Sequence, residues 1–287
     1  MAPRGGGWQD ARAWGFQMLA DEESSYMIDI HCHPLAEVDD GAKTFEVSVA
    51  MCRMAAADGI THLVATPHHN YEYSFRPEVN RKKLAELQAA VGEAPKLLLG
   101  CDLHLSYDNL QQLVENCRDF TINNTQYVLV EFGEHFIPQQ MDRVFYELQC
   151  AGLVPILTHP ERNDIFHRKP DLLPHWVEQG CLVQVTAKSY LGGFGSEARE
   201  VAEQWLGCNL IHFFASDAHD LKSRPPVLSG CYQKAAEAKG KEIAERLLVE
   251  NPRAVIEGKP LPPQPPPLEP CKKERKRSWW AFWRPRK

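Results

Sequence analysis

Seven short apolar runs, at residues 27–30, 63–65, 97–100, 127–131, 154–157, 182–185 and 212–215, recur along the chain. Amphipathic, helix-like stretches stand at 45–57, 80–91, 139–151, 171–179, 197–206 and 233–249. Repeated alternation of strand and helix is the pattern of a parallel sheet with helical crossovers. The runs lack the polar alternation of a sheet with one wet face, so they read as strands buried on both faces. This pattern admits an open doubly wound sheet as well as a closed barrel. The placement of the polar residues favours the barrel. A chain of 287 residues has the length for one, since a single α/β barrel commonly runs to about 250 residues.

The C-terminal ends of the runs carry the chemistry. The first ends in His31 and His33, two apart and therefore on one side of a strand, with Asp39, Asp40 and Gly41 soon after. The second ends in Thr66, Pro67, His68 and His69, the third in Gly100, Cys101 and Asp102, and the fourth in Val130 and Glu131. The fifth leads into Thr158, His159, Pro160, Glu161 and Arg162, and the seventh into Ser216, Asp217, Ala218 and His219. Only the sixth, ending in Val185 and Thr186, offers no obvious ligand. The C-terminal ends of barrel strands converge on one face, which carries the active site. So many imidazoles and carboxylates in one mouth would repel and desolvate badly without a compensating charge, and metal cations supply it. Histidine and carboxylate ligands without thiolates suit zinc, manganese, iron or cobalt. Nine such residues exceed one tetrahedral site and point to two or three divalent metals, with at least one bridging carboxylate. Multi-metal sites of this kind activate a bound water and clamp phosphoryl oxygens during in-line displacement.

Each residue taken singly has a plainer reading. A lone His at a strand end is usually structural, and Asp39 or Asp40 would serve as the N-cap of the helix near Phe45. Joint occurrence at six of the seven strand ends is what the plain reading fails to explain. For His62, His104, His135, His167, His175 and His212, which lie off these positions, the structural reading stands. Arg162 and Arg224 lie close to His159 and His219 in sequence, and guanidinium groups at a metal mouth favour bidentate recognition of phosphate or carboxylate. The nine cysteines are singletons with no C-x-x-C pair, which fits neither a disulfide framework nor a thiolate zinc site and reads as small buried hydrophobes in a reducing cytosol.

The segments IDIHCH…VDDG, ATPHH, VEFG, THPER, SDAH and RPP, in that order, resemble the capsular-polysaccharide type of protein-tyrosine phosphatase in the PHP (polymerase and histidinol phosphatase) superfamily. The resemblance spans about residues 27–258 and implies an α/β fold, a distorted seven-stranded (β/α) TIM-like barrel. It implies a trinuclear centre, usually of manganese or iron, with zinc, cobalt or magnesium as alternatives. Carried over by motif, His31 and His33 would hold one metal with Asp217, Glu131 and His159 a second, and Asp40, His68 and His219 the third. Asp102 stands where the family usually has a bridging Glu, one methylene longer. Arg162 and Arg224 match the phosphate-binding arginines. The implied activity is hydrolysis of phosphotyrosine on protein by a metal-activated hydroxide. The implied partner is a membrane-associated tyrosine autokinase of polysaccharide export.

A decoy stands at Cys271, which with Arg277 satisfies the C-x5-R spacing of cysteine phosphatases. That chemistry needs a loop of backbone N–H groups at a helix N-terminus to lower the thiol pKa, and a proline-rich lead-in without glycine does not supply one. Rival readings are a histidinol-phosphate or other small phosphomonoester phosphatase, a metal-dependent nuclease, and a scaffold with a degenerate site.

Charge divides the chain. Of 32 Lys and Arg and 38 Asp and Glu, nine basic and two acidic residues lie from Lys259 onward, a local +7, leaving 23 against 36, or −13, before it. An acidic body argues against a nucleic-acid partner, which needs a basic face. Seven prolines in residues 260–270 mark a linker, 259–271, in extended conformation rather than a packed element. The tail, 272–287, combines eight basic side chains with Trp279, Trp280, Phe282 and Trp283, a composition drawn to anionic membrane surfaces. Residues 1–26 read as a poorly ordered extension. No apolar run spans a membrane and no h-region marks a signal peptide, so the expected location is the cytoplasm, with peripheral attachment to the inner face of the plasma membrane through the tail.

Overall fold

The computed structural model describes residues 26–268 apart from Glu134. The extension up to residue 25, the C-x5-R match at Cys271 and the basic-aromatic tail lie outside the described residues. Among the described residues nine strands form: β1 (Met27–Cys32), β2 (Ile60–Ala65), β3 (His68–His69), β4 (Lys96–Leu99), β5 (Asp102–His104), β6 (Tyr127–Glu131), β7 (Val154–Thr158), β8 (Leu182–Thr186) and β9 (Phe213–Ala215). They build two sheets, β1-β2-β4 and β3-β5-β6-β7-β8-β9, and each pair of neighbours runs parallel. The seven expected strands become nine because two are interrupted. Pro67 lies between β2 and β3, where a residue without an N–H cannot donate to a ladder, and Gly100 and Cys101 lie between β4 and β5. Backbone bonds still cross the breaks, from Gly100 N to Ala65 O at 2.8 Å and from Asp102 N to Pro67 O at 3.2 Å. At the other edge, Asp217 N donates to His31 O at 2.8 Å and His33 N to Ala218 O at 2.9 Å.

Side chains alternate between two cores. One apolar cluster includes Ile28, Ile30, Val64, Leu129, Ile156 and Phe213, together with Val255 and Ile256 of the helix Asn251–Glu257. The other includes Met51, Phe145, Leu148, Trp176, Trp205 and Phe214, which pack helices onto the strands. The strand period of two then sets which side chains continue each column beyond the first cluster. Tyr127 and Leu129 are continued by Glu131, Ile156 by Thr158, Leu182 by Gln184, and Phe213 and Ala215 by Asp217. Each column is apolar at the N-terminal end and polar at the C-terminal end, so burial of the first half aims the second half at the mouth.

Several details differ from the expectation. The helix Phe45–Ala57 is capped not by Asp39 or Asp40 but by Thr44, whose side chain accepts from Val47 N at 3.4 Å. A helix, Tyr107–Glu115, occupies an interval without a clear apolar period, and Ser106 caps it. The single stretch expected at 233–249 is broken: Ser229–Lys239 stops at Gly240, φ 93°, a conformation suited to glycine, and Lys241–Glu245 begins anew.

Residues 259–268 have neither helix nor strand, yet they are not a free spacer. They lie along the N-terminal ends of the strands, the floor of the fold. Tyr127 Oη donates to Lys259 O at 2.7 Å, Gln264 and Asn251 exchange amide hydrogen bonds, and Asn209 Nδ2 donates to Pro266 O at 3.1 Å. Leu261 packs against the first core cluster. The expectation of an unpacked segment fails because prolines, lacking N–H groups, leave their carbonyls as the only backbone partners, and floor side chains supply the donors. Among the described cysteines, seven are free and Cys208 is disulfide-bonded, a departure from the all-thiol expectation. Pairing depends on separation in the fold and not on sequence spacing. No helix among the described residues is long and apolar enough to cross a membrane.

Candidate metal centre

His31, His33, Asp40, His68, Asp102, Glu131, His159, Asp217 and His219 meet at the C-terminal ends of the strands. Their ligand atoms fall into four overlapping groups, within each of which all lie within 4.8 Å of one another: His33–Asp40–His68–His219, His31–His33–Asp102, His31–His159–Asp217 and His68–Asp102–Glu131. Asp217 Oδ1 lies 3.5 Å from His31 Nε2 and 3.6 Å from His33 Nε2. Asp40 Oδ1 lies 3.4 Å from His68 Nε2 and 3.3 Å from His219 Nε2. Glu131 Oε1 is 3.5 Å from His159 Nε2, and Asp102 Oδ2 is 3.5 Å from His31 Nε2.

Two of these residues are aimed by unusual backbone. His159 and Asp217 follow β7 and β9 with φ of 36° and 50°, in the left-handed region. Such conformations cost a non-glycine residue about 1–3 kcal/mol and persist only where the surroundings enforce them. Others are held by hydrogen bonds from behind. His33 Nδ1 bonds Asp39 Oδ2 at 2.7 Å, and Asp39 also accepts from Gly41 N and His68 N. His31 Nδ1 bonds Gln184 Oε1 at 2.9 Å, so β8, which ends without a ligand-type residue, orients one of these imidazoles. Ligating imidazoles ordinarily use the second ring nitrogen in this way. Asp29, buried under the mouth, accepts from Ser216 N, Ser216 Oγ and His31 N.

The donor set fits cations. His31 Nε2 and His33 Nε2 approach to 3.2 Å, and His68 Nδ1 and Asp102 Oδ2, both buried, make no hydrogen bond. Burial, with help from the neighbouring imidazoles His219 and His68, pushes His33 down to about 3. Burial and Arg162 hold His159 well below the usual imidazole range. Against burial, His31 and His68 keep Asp102 well below the carboxylate range, and His31, Arg224, His159 and Arg162 do the same for Asp217. Also against burial, Asp102 and Asp217 raise His31 to about 9, and Asp102 and Asp40 raise His68. These carboxylates are thus anions drawing protons onto nearby imidazoles, the position a divalent cation would take with release of those protons.

Arg162 Nη1 and Arg224 Nη2 both reach Asp217 Oδ2, at 2.7 and 2.5 Å. A pocket of about 190 Å³ opens beside them, lined by Tyr71, His104, Glu131, Phe132, His159 and Arg162 among others. His104 therefore lies at the mouth, against the structural reading of it, with Nδ1 3.8 Å from Glu131 Oε2. It shares a side of β5 with Asp102, the period-two signal that would have found it. The other off-site histidines are structural or peripheral: His212 Nδ1 accepts from Val183 N, His167 bonds Glu161 O, and His135 and His175 pair with Asp164 and Asp142 near the surface. Cys32 Sγ turns away toward Ala218 O, and burial raises the Cys32 and Cys101 thiols well above their usual range.

Residues 27–257 match the family model of CpsB/CapC capsular polysaccharide synthesis proteins. This chain belongs to the CpsB/CapC family. Curated relatives include the tyrosine-protein phosphatase YwqE of Bacillus subtilis, 34% identical over 261 residues, covering 87% of this chain and 98% of the relative. The putative tyrosine-protein phosphatase CapC of Staphylococcus aureus is 38% identical over 206 residues, 70% of this chain and 80% of that protein. CpsB of Streptococcus pneumoniae is 29% identical over 239 residues, 80% and 98%. Among solved structures, work on YwqE and CpsB as unique metal-dependent tyrosine phosphatases provides a match with a TM-score of 0.78 and 33% identity, covering 85% of this chain and 100% of that one. A lactonase from Listeria monocytogenes, with a TM-score of 0.52 and 14% identity, shares the fold alone.

Proposed function

We propose that this CpsB/CapC chain is a metal-dependent protein-tyrosine phosphatase that acts without a cysteine nucleophile. The observation that carries the reading is the convergence of nine ligand-type side chains in four overlapping groups, with two arginines on the edge carboxylate. The named activity of YwqE and CpsB agrees with it. His31, His33, Asp40, His68, Asp102, Glu131, His159, Asp217 and His219 would hold two or three divalent cations, manganese or iron in this reading. Such cations supply an activated water and neutralise phosphoryl oxygens during in-line displacement. Arg162 and Arg224 meet the remaining phosphoryl charge. Arg224 Nε is buried without a hydrogen bond, a donor still to be spent, and a fork of N–H groups matches phosphate geometry. The adjoining pocket, with Tyr71, Phe132 and Phe166 on its walls, has the apolar surface an aryl leaving group needs. In the finer reading the two sheets close as one distorted seven-stranded barrel, supported by the parallel bridge between Cys32 and Ala218. Residues 27–258 make up that catalytic body.

Turnover of a phosphotyrosine peptide, with and without chelator and alongside metal analysis, tests this reading. Activity that survives complete metal removal would defeat it. Cys271→Ser is expected to leave turnover intact while His159→Ala abolishes it; the reverse result assigns the chemistry to the thiol. Faster turnover of histidinol phosphate than of the peptide would favour the small-substrate reading. The proposed protein substrate is a membrane-associated tyrosine autokinase, and the tail at 272–287 is proposed to hold the enzyme against anionic lipid at the inner face of the plasma membrane. Equal pelleting with anionic liposomes of the full chain and a chain ending at Gly258 would exclude that role of the tail.

A further inference from the structure

Beyond Thr186, β8 leads through the short helix Ala187–Tyr190 into a loop at residues 191–195 that holds Gly192, Gly193 and Gly195 around Phe194. Three cations gather on the half-buried Phe194 ring. Arg162 Cζ lies 4.9 Å, Lys188 Nζ 4.6 Å and Arg224 Cζ 5.8 Å from its centroid. The loop is shaped for this. Gly192 and Gly195 have φ of 90° and 97°, in the left-handed region. A Cβ on Gly193 would fall 2.6 Å from Lys188 Cγ and 2.7 Å from its Cε, so the lysine stem lies flat on the glycine backbone. Lys188 Nζ also donates to Ser223 O at 2.5 Å, which ties this loop to the residue preceding Arg224.

The two guanidinium groups are therefore held from both sides, by the Asp217 carboxylate and by the face of one aromatic ring. An aromatic face attracts cations electrostatically without consuming their hydrogen-bond donors. A carboxylate in the same place would occupy those donors and repel a phosphoryl dianion. We propose that Phe194 is a positioning residue: its ring orients Arg162 and Arg224 toward a phosphoryl group without consuming an N–H donor of either. This rests on reading the mouth as a phosphate-handling site. It adds to the orienting role of Gln184 a second contribution from the β8 segment, which carries no ligand-type residue at its end.

The test compares Phe194→Leu, which keeps apolar bulk and removes the ring, with Phe194→Tyr, which keeps the face. The metal-loaded full chain is titrated calorimetrically with inorganic phosphate, and kcat and KM are measured on a phosphotyrosine peptide. Phe194→Leu is expected to weaken phosphate binding about tenfold, the order expected from loss of two partly exposed cation–π contacts. Its KM should rise more than its kcat falls, and Phe194→Tyr should restore both to within about twofold of the native chain. Phe194→Met stands in if the leucine variant does not fold. Phosphate binding by Phe194→Leu or Phe194→Met equal to that of the native chain overturns the proposal, as does a tyrosine variant as weak as the leucine one. A native chain that binds phosphate but does not turn over phosphotyrosine would sink the proposed substrate and leave the titration to decide the role of Phe194.

Discussion

Asp102 is the carboxylate common to two of the ligand groups, one with His31 and His33 and the other with His68 and Glu131. It is fully buried, one oxygen has no hydrogen bond, and the other accepts from Thr158 Oγ1 at 3.3 Å. An amide at this place keeps the size and removes the charge that serves both groups. Asp102→Asn is therefore expected to lose metal and to lower kcat/KM by about 100-fold or more, beyond the effect usual for a residue behind the ligands. Metal analysis after gel filtration and steady-state kinetics would check this, and a variant with full metal content and full activity would remove Asp102 from the centre. The nine residues of the mouth were legible in the sequence because ligand chemistry recurs at one kind of place, the end of an apolar run. Asp39 and Gln184 were not legible as orienting residues. An aspartate just before a helix reads first as a cap, and an amide is not a ligand type. Their roles arise only when β1 brings His33 to Asp39 and β8 brings Gln184 to His31.

At the level of elements, apolar periodicity located seven of the nine strands among the described residues and missed the short β3 and β5, since burial on both faces leaves a clear run only where a strand is long enough. It did not show the interruptions at Pro67 and Gly100, nor the left-handed backbone of His159 and Asp217, because these are set by neighbouring strands and not by local pattern. The approach to β9 offers a measurable consequence. His212 is buried on the floor, its Nδ1 accepts from Val183 N at 3.2 Å, and burial lowers it from 6.5 to about 4. Unfolding exposes an imidazole that protonates near its ordinary value, while the folded ring stays neutral until about pH 4. Stability from this group is complete above about pH 6.5 and is lost as pH falls toward 4, up to ~3 kcal/mol on the order of 1.4 kcal/mol per pH unit. His212→Gln retains an acceptor and does not titrate. Urea unfolding from pH 7.5 to 4 should show the native chain losing stability faster than the variant, with the difference confined to that window. Parallel curves would show that the His212 ring does not resist protonation in the folded chain.

The whole molecule has two ends with different work. The strand C-termini carry the acids and imidazoles of the mouth, while the N-termini are closed by the helix Asn251–Glu257 and the strap at 259–268. Proline-rich composition correctly indicates a segment without helix or strand. It cannot indicate docking, because the donors that hold the segment, from Tyr127, Asn209 and Asn251, are scattered over the chain. The strap ends with Leu268 N donating to Cys208 O at 3.0 Å, so the chain leaves the described body on the floor, opposite the mouth. Stability and catalysis should therefore separate on truncation. A chain ending at Gly258 loses the contacts of Leu261 and Gln264 and is expected to melt roughly 2–6 °C lower, at about 2–4 °C per kcal/mol for a protein of this size. A chain ending at Leu268 keeps those contacts and should melt above the chain ending at Gly258. Both should keep kcat/KM on a soluble phosphotyrosine peptide, since neither cut approaches Arg162, Arg224 or the ligand residues. Calorimetry on the two truncations decides whether the strap is structural: equal melting temperatures would make it a passive spacer. A loss of peptide turnover at unchanged melting temperature would mean that the floor communicates with the mouth.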